Sequence, residues 1–186
     1  MKFKIHILFF LLTLSSCKYS HDYKSLEKKL NTYLKSSEGE FAIVFKNLSD
    51  GKTILINENE EFHAASTMKT PIMIEVFRYV HEGAISLDDS ILVKNEFKSI
   101  ADGSSFSLSS FEDSDKKIYE EIGSFLSLRE LVIDMITLSS NFATNLVIDY
   151  IGSENINSTM RGLGANKINV LRGVEDIKAS VSYTHL

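Results

Sequence analysis

Two short groups of residues, Ser66-Thr67-Met68-Lys69 and Ser139-Ser140-Asn141, contain the side chains that acyl-transfer chemistry uses. A serine hydroxyl is a weak nucleophile until a base removes its proton. A lysine three residues further along a helix lies on the same helix face, so Lys69 is within reach of Ser66. A second serine and an amide from another helix could relay that proton and hold a substrate. These residue types indicate a serine hydrolase that forms an acyl-enzyme.

The spacing of serine and lysine does not identify the pair by itself, because it occurs five times. Ser66 differs from the others in its setting, since it follows two predicted strands and Ala64-Ala65 and precedes a long apolar-periodic helix. Ser139 and Asn141 interrupt an apolar helical stretch, where polar side chains are costly unless they have partners. The five pairs are Ser15/Lys18, Ser25/Lys28, Ser49/Lys52, Ser66/Lys69 and Ser114/Lys117.

The overall composition predicts one ordered globular domain. The chain has 186 residues, 44% of them hydrophobic, and a single proline. This length is enough to bury a sizeable core. A formal net charge of −5 without a basic cluster argues against a nucleic-acid partner. The five histidines are scattered, so we expect no metal site and no cofactor.

The N-terminus has the pattern of an export signal. A basic start is followed by the apolar run Ile5–Leu14, which is too short to span a bilayer permanently. Leu14-Ser15-Ser16-Cys17 then resembles a bacterial lipobox, in which the cysteine is lipidated. We therefore expect a signal peptide over residues 1–16 and an exported, periplasmic lipoprotein anchored to the membrane through Cys17. The alternative is an ordinary cleavage site with an incidental cysteine.

Helical and strand patterns follow in a mixed order. Apolar residues at helical spacing predict a first helix over 22–37. Two β-branched runs, 40–46 and 52–57, are joined through Asp50-Gly51, which is a strong hairpin signal. Ser66 begins a helix that extends to about Glu82. Because proline is easily accepted only in a first helical turn, Pro71 predicts a tightened or irregular start to this helix.

The second half of the chain reads as a long loop followed by helices. Residues 83–121 are polar and broken by turn residues, which is typical of a segment bordering a functional site or of a mobile one. Ser127-Leu128-Arg129-Glu130 is a capping box that begins an apolar helix. The apolar face resumes after Asn141 and continues to Gly152. A short helix is predicted over 153–160, with Ser153 as its cap.

In these helical contexts the two motifs resemble those of the class A serine β-lactamase family, which shares its fold with penicillin-binding DD-peptidases. The resemblance covers residues 23–179, and the central residue of the second motif, usually aspartate, is Ser140 here. It implies an α+β fold in which helices flank an antiparallel sheet, a β-lactam substrate and a monomer. Residues 17–186 would then form a partial catalytic domain.

The resemblance also implies a role for each motif residue. Ser66 would be the nucleophile, and its backbone N–H would be one oxyanion donor. Lys69 would be its proton acceptor or electrostatic partner, although an ordinary lysine pKa near ~10.4 requires burial or a cationic neighbour to favour the neutral form. Ser139 would pass a proton to the lactam nitrogen, and Asn141 would bind the amide of the substrate side chain.

Two further assignments carry alternatives. Glu175 lies close to the register of the family's deacylating glutamate, although Ala179 stands where an asparagine should help to hold the hydrolytic water. The alternative for Glu175 is a solvated surface carboxylate. Phe106 occupies the place of an aromatic residue at the rim of the cleft, or else it anchors a loop.

The family's Lys-Thr/Ser-Gly strand and its three C-terminal strands have no counterpart in the sequence. We therefore expect a C-terminally truncated, largely inactive chain whose hairpin keeps unpaired edges, with a non-native segment after Ala179. Two other functions remain open for the parent protein. One is a DD-peptidase, and the other is a non-catalytic exported lipoprotein in which Ser66 and Lys69 only begin a helix.

Overall fold

The structure is a computed structural model that describes residues 22–170 and 173–179. The chain divides into two compact units at Phe62/His63, each of which is described by itself below. The predicted signal peptide and Cys17 lie outside the described residues. No helix within the described ranges combines the length and the apolar character needed to cross a bilayer.

The described part of the first unit, residues 22–62, contains one helix and one hairpin. Helix α1 spans Tyr23–Lys35 and begins at Asp22, whose carboxylate accepts a hydrogen bond from Ser25 N–H. Strands β1 (Ile43–Lys46) and β2 (Thr53–Ile56) pair antiparallel, with Ile43 opposite Ile56. Gly51 closes the turn at a φ of 71°, a conformation that glycine adopts without strain. The predicted hairpin is confirmed, and among the described residues neither strand has a second strand beside it.

Four further α-helices are found among the described residues of the second unit. The start of the second predicted helix is irregular, as Pro71 suggests, because a 3₁₀ turn over Ala65–Met68 precedes helix α2 (Lys69–His81). Helix α3 (Leu128–Ile133) begins at the predicted capping box and passes into a π-helical turn over Asp134–Leu138. Helices α4 (Asn141–Ile151) and α5 (Ser153–Gly162) follow.

Short antiparallel strands interrupt the predicted long loop. Strand β3 (Ser90–Leu92) pairs with β6 (Phe125–Ser127), and β4 (Phe97–Lys98) pairs with β5 (Ser105–Phe106). A 3₁₀ turn over Lys117–Glu121 lies between β5 and β6 in the sequence. The loop predicted over 83–121 therefore contains short strands and a 3₁₀ turn that the sequence did not indicate, because strands of two or three residues are too short to show a period.

The core of the second unit is formed where α2, α3 and α4 meet. Most of its fully buried side chains come from these helices and the π-helical turn after α3, and Phe142 of α4 is the largest of them. The first residues of α2 and α4 are therefore tied to the same buried cluster. The central core residues are Ile72, Val76, Leu131, Met135, Phe142, Leu146 and Val147.

Candidate active site

Ser66 lies at the exposed start of the core helix α2, and Lys69 follows it inward. Ser66 is in the 3₁₀ turn, whereas the Lys69 side chain is only 3% exposed. The preceding residue, Ala65, has a φ of 46°, and its N–H donates a hydrogen bond to His63 Nδ1. Because amides in the first turn of a helix lack intrahelical acceptors, the Ser66 N–H is suited to bind an anionic oxygen.

Ser139 and Asn141 flank the residue that caps α4. Ser139 ends the π-helical turn in the left-handed region, with a φ of 59°. Ser140 is buried, and its Oγ accepts a hydrogen bond from Ala143 N–H. Because Ser140 caps α4 with its own side chain, the side chains of Ser139 and Asn141 on either side of it reach Lys69.

The two motifs meet at the Lys69 ammonium group. Lys69 Nζ donates to the Ser139 carbonyl at 2.7 Å, to Ser139 Oγ at 3.0 Å and to Asn141 Oδ1 at 3.0 Å. Its distance to Ser66 Oγ is 3.4 Å, and Ser139 Oγ donates to Ser66 Oγ at 2.9 Å. The four residues to which the motifs assign chemical roles, Ser66, Lys69, Ser139 and Asn141, therefore share one hydrogen-bonded cluster.

The buried position of Lys69 also changes its acidity. Loss of hydration lowers the pKa of Lys69 below the usual value for lysine, because burial penalises the charged form. The negative charges of Asp113 and Glu175 oppose this shift by raising the pKa. The cluster thus contains an amine that is easier to deprotonate than a free lysine, without a cationic neighbour being required.

Glu175 joins the cluster through Asn141. The Asn141 Nδ2 donates to Glu175 Oε1 at 2.8 Å, so Glu175 is a half-buried, hydrogen-bonded carboxylate and not a solvated surface group. Glu175 has a φ of 64°, which is strained for a residue with a side chain. Its neighbour Val174 is held on both sides by the buried Asn145 side chain, through hydrogen bonds of 2.6 Å to its N–H and 2.9 Å to its carbonyl.

A second buried side chain fixes the other end of this segment. Asp176 is 1% exposed, and its carboxylate accepts hydrogen bonds from Ser99 Oγ and from Ile100 N–H. The exposed Lys178 contacts Asp102 at 2.8 Å. Residues 173–179 therefore rest on α4 at one end and on the β4–β5 turn at the other.

The sequence analysis did not identify three residues that position the site segments. They are Asp113, Asn145 and Asp176. Asp113 is buried in the polar segment and accepts hydrogen bonds from the first two amides of α4. Nothing in a charged loop distinguishes a buried carboxylate from a solvated one. For Asn145 a signal was present, since a polar residue in an otherwise apolar helix requires a partner.

Of the two alternatives for Phe106, a cleft-rim aromatic and a loop anchor, its contacts fit the loop anchor. It lies in β5 opposite Phe97, and the two ring centroids are 5.8 Å apart. Phe97 in turn packs edge-on against Phe142, at 6.0 Å. Among the described residues, no group of three or more histidine, cysteine, aspartate or glutamate side chains is arranged to hold a metal ion.

Ser153 does not have its predicted role as a cap. Helix α5 begins after Gly152, which has a φ of 80°, and no side chain caps it. The preceding helix ends at the same glycine, so the turn between the two helices is made by the positive φ of Gly152 and not by a side-chain cap from Ser153.

The sequence as a whole matches a known family. Residues 25–184 match the sequence model described as the β-lactamase enzyme family. No curated protein matches the chain significantly.

Solved structures with the same fold cover most of the described chain. A β-lactamase from Sphaerobacter thermophilus DSM 20745 is 27% identical with a TM-score of 0.64, and the match covers 81% of this chain and 52% of that one. A β-lactamase from Chitinophaga pinensis DSM 2588 is 21% identical with a TM-score of 0.67, covering 86% and 56%. A PBP-A variant in an acyl-enzyme complex with penicillin G is 24% identical with a TM-score of 0.65, covering 83% and 55%.

These matches confirm the predicted α+β fold and the resemblance on which it was based. The chain spans about half the length of the solved structures that it matches.

Proposed function

Because the chain belongs to the β-lactamase enzyme family, we propose that it acts as a serine hydrolase that opens β-lactam rings through an acyl-enzyme on Ser66. The observation that carries this proposal is the contact of one buried amine with two hydroxyls. Lys69 Nζ is 3.4 Å from Ser66 Oγ and 3.0 Å from Ser139 Oγ, and the two hydroxyls are 2.9 Å apart. The two shorter distances are within the range for direct proton transfer, and the distance from Lys69 to Ser66 is slightly longer, as is common before a substrate binds.

Acylation begins with attack of Ser66 Oγ on the lactam carbonyl carbon. The new C–O bond forms as the Ser66 proton moves to neutral Lys69 Nζ, and the carbonyl oxygen becomes an oxyanion. The Ser66 N–H donates to this oxyanion, and one such donor contributes roughly 2.7–4 kcal/mol in the transition state.

Collapse of the tetrahedral intermediate then breaks the C–N bond of the lactam ring. The departing nitrogen takes a proton from Ser139 Oγ, which recovers one from Lys69 Nζ at 3.0 Å. The net transfer is one proton from Ser66 to the lactam nitrogen, so Lys69 and Ser139 return to their starting states.

Asn141 is placed to orient the substrate. Its Oδ1 accepts from Lys69, and one hydrogen of its Nδ2 is given to Glu175. The second hydrogen of Nδ2 is suited to the carbonyl oxygen of a substrate side-chain amide.

Deacylation is assigned to Glu175. Its carboxylate would take a proton from water as the water oxygen attacks the ester carbon, and Ser66 would regain its proton as the ester C–O bond breaks. Rapid nitrocefin turnover by the full-length protein, lost in Glu175→Gln with accumulation of the acyl-enzyme, is the expected result.

A DD-peptidase is the second candidate, and Ala179 is the observation that favours it. Ala179 is fully buried and has no polar side chain with which to hold a hydrolytic water near Glu175. A stable penicilloyl adduct in the unmodified protein would support the peptidase over the lactamase.

Labelling with a fluorescent penicillin tests both enzymes against a non-catalytic lipoprotein. The full-length protein should form a covalent adduct at Ser66, and Ser66→Ala should form none. A folded, unmodified protein that acquires no adduct would refute the enzyme proposal.

The proposal for localisation is independent of catalysis. Export and lipidation at Cys17 predict that radiolabelled palmitate is incorporated in bacteria and that Cys17→Ser abolishes incorporation. Unlabelled protein in the soluble periplasmic fraction would instead support ordinary signal cleavage.

A further inference from the structure

The start of helix α4 is anchored by a carboxylate from a distant loop. Asp113 Oδ1 accepts from Asn141 N–H at 3.1 Å, and Oδ2 accepts from Phe142 N–H at 2.8 Å. These are the first two amides of the helix, which lack intrahelical acceptors. Ser140 serves the third position, because its Oγ accepts from Ala143 N–H. The neutral cap and the charged group are therefore supplied by different segments.

Asp113 is itself firmly held. It is 4% exposed, and its carboxylate also accepts hydrogen bonds from Tyr119 Oη at 3.2 Å and from Asp115 N–H at 3.1 Å. Four hydrogen-bond donors therefore surround this buried carboxylate. Its negative charge faces the positive end of the α4 dipole, which adds to the attraction.

The next residue reaches the other side of Ser139. Ser114 Oγ donates to the Leu138 carbonyl at 2.5 Å, one residue before Ser139, whereas Asp113 binds the chain two and three residues after it. Asp113 and Ser114 thus bracket Ser139. Ser139 itself is held at a φ of 59°, which costs free energy unless its surroundings enforce it.

We propose that Asp113-Ser114 is the positioning element of the site and holds Ser139 and Asn141 in contact with Lys69. Because the cap residue Ser140 is neutral, Asp113 supplies the negative charge at the start of α4. This inference rests on the proposed acyl-transfer function for its effect on rate, but its anchoring contacts can be tested without any substrate. Asp113 does not contact the reacting atoms, so it positions them through Ser139 and Asn141, and its negative charge also raises the pKa of Lys69.

The need for a negative charge at position 113 can be tested by neutralising the carboxylate. Asp113→Asn retains the size of the side chain but turns one acceptor into a donor that faces a backbone N–H. Asparagine at 113 should slow acylation of Ser66 by fluorescent penicillin on the order of tenfold or more, since hydrogen bonds to charged groups are strong. Asp115→Asn is the matched control, because Asp115 is equally buried in the same loop but accepts from Lys117 N–H.

Rescue separates positioning from general damage. Ser140→Asp keeps a good helix cap and adds the missing charge. Alone, this substitution places a second carboxylate beside Asp113 and should slow acylation. Combined with Asp113→Asn, it should restore acylation most of the way, with the recovery in the acylation rate constant and little change in the penicillin dissociation constant.

Amide hydrogen exchange provides the readout that is independent of catalysis. The amides of Asn141 and Phe142 should exchange at least about tenfold faster in Asp113→Asn than in the unmodified protein or in Asp115→Asn, since each loses a charge-assisted hydrogen bond. If the unmodified full-length protein is never labelled by penicillin, the proposed function fails, and the exchange rates still decide the anchoring role.

Three results would overturn the inference. One is unchanged exchange at both amides in Asp113→Asn, and another is labelling of this variant at the unmodified rate. The third is a double variant no better than Asp113→Asn. If Asp113→Asn does not fold, the double variant decides: recovery of folding and labelling supports the inference, and failure to recover either refutes it.

Discussion

Gly173→Ala is expected to separate the two half-reactions of the proposed enzyme. A Cβ atom built on Gly173 lies 2.9 Å from Asn145 Oδ1, 3.0 Å from its Cγ and 3.1 Å from its Nδ2. The first distance is shorter than real Cβ atoms show and the other two are tighter than most Cβ contacts, so either Asn145 or the segment beginning at Gly173 must move. Asn145 is 1% exposed and is bonded twice to Val174, which leaves it little freedom to yield.

The magnitude follows from the contacts that would be lost. The two hydrogen bonds between Asn145 and Val174 contribute on the order of 0.5–1.5 kcal/mol each. The variant should therefore unfold with about 1–3 kcal/mol less free energy, before any penalty for leaving the buried amide unpaired. In a domain of this size, each kcal/mol lowers Tm by roughly 2–4 °C.

The kinetic effect should fall on deacylation. Displacing Val174 moves Glu175 away from Asn141, whereas Ser66, Lys69 and Ser139 lie on other segments. Acylation by nitrocefin should change by less than about threefold, while the acyl-enzyme should persist on the order of ten times longer or more, because a misplaced base loses much of a contribution that is typically 10²–10⁴-fold.

Gly162→Ala is the matched control. No heavy atom lies within 4 Å of the Cβ position at Gly162, and its φ is not positive. Pre-steady-state measurements on the full-length protein would give both rate constants, and thermal denaturation would give Tm. If Gly173→Ala matches Gly162→Ala in Tm and in deacylation, the close approach to Asn145 does not position Glu175.

Three further predictions concern the same unit. Lys69→Met should change the pH dependence of stability. Because burial lowers the pKa of Lys69, the unfolded chain binds more protons than the folded protein between the lowered pKa and 10.5. Urea titrations should therefore show the unmodified protein gaining stability relative to the variant as pH rises through this range, and a difference independent of pH would refute this. Asp176→Asn should release residues 173–179 from Ser99 and Ile100 and lengthen the life of the acyl-enzyme. Asp102→Asn should have a smaller effect, because Asp102 contacts this segment through the exposed Lys178. Ser127→Ala should cost about 0.5–2 kcal/mol of unfolding free energy by removing the cap of α3; a loss below the error of the urea midpoint would contradict the importance of this cap.

Elements with strong local signals were predictable from the sequence. The Asp-Gly turn, the capping box at Ser127 and the tightened start of α2 before Pro71 each follow from the conformational limits of one or two residues. The expected proximity of Ser66, Lys69, Ser139 and Asn141 rested on the resemblance of their two motifs to a known family, and in the structure these residues contact one another at Lys69.

The supporting contacts could not be predicted, because they join residues far apart in the chain. Asp113 reaches Asn141 across 28 residues, and Asp176 reaches Ser99 across 77. A carboxylate in a polar segment has the same local pattern whether it is buried or solvated. The spacing of Glu175 likewise left two alternatives, which the hydrogen bond from Asn141 distinguishes only after folding.

Backbone strain in the described residues is concentrated around the candidate site. Of the four non-glycine residues there with positive φ, Ala65 precedes the nucleophile, and Ser139 and Glu175 belong to the cluster itself. A left-handed conformation costs roughly 1–2 kcal/mol for such residues, so each must be enforced from outside. His63 accepts from Ala65 N–H, Asp113-Ser114 brackets Ser139, and Asn145 holds the residue before Glu175. Since each enforcing group belongs to a different segment, weakening one should relax one functional group and leave the others in place. The separate effects expected for Asp113→Asn on acylation and for Gly173→Ala on deacylation follow from this division.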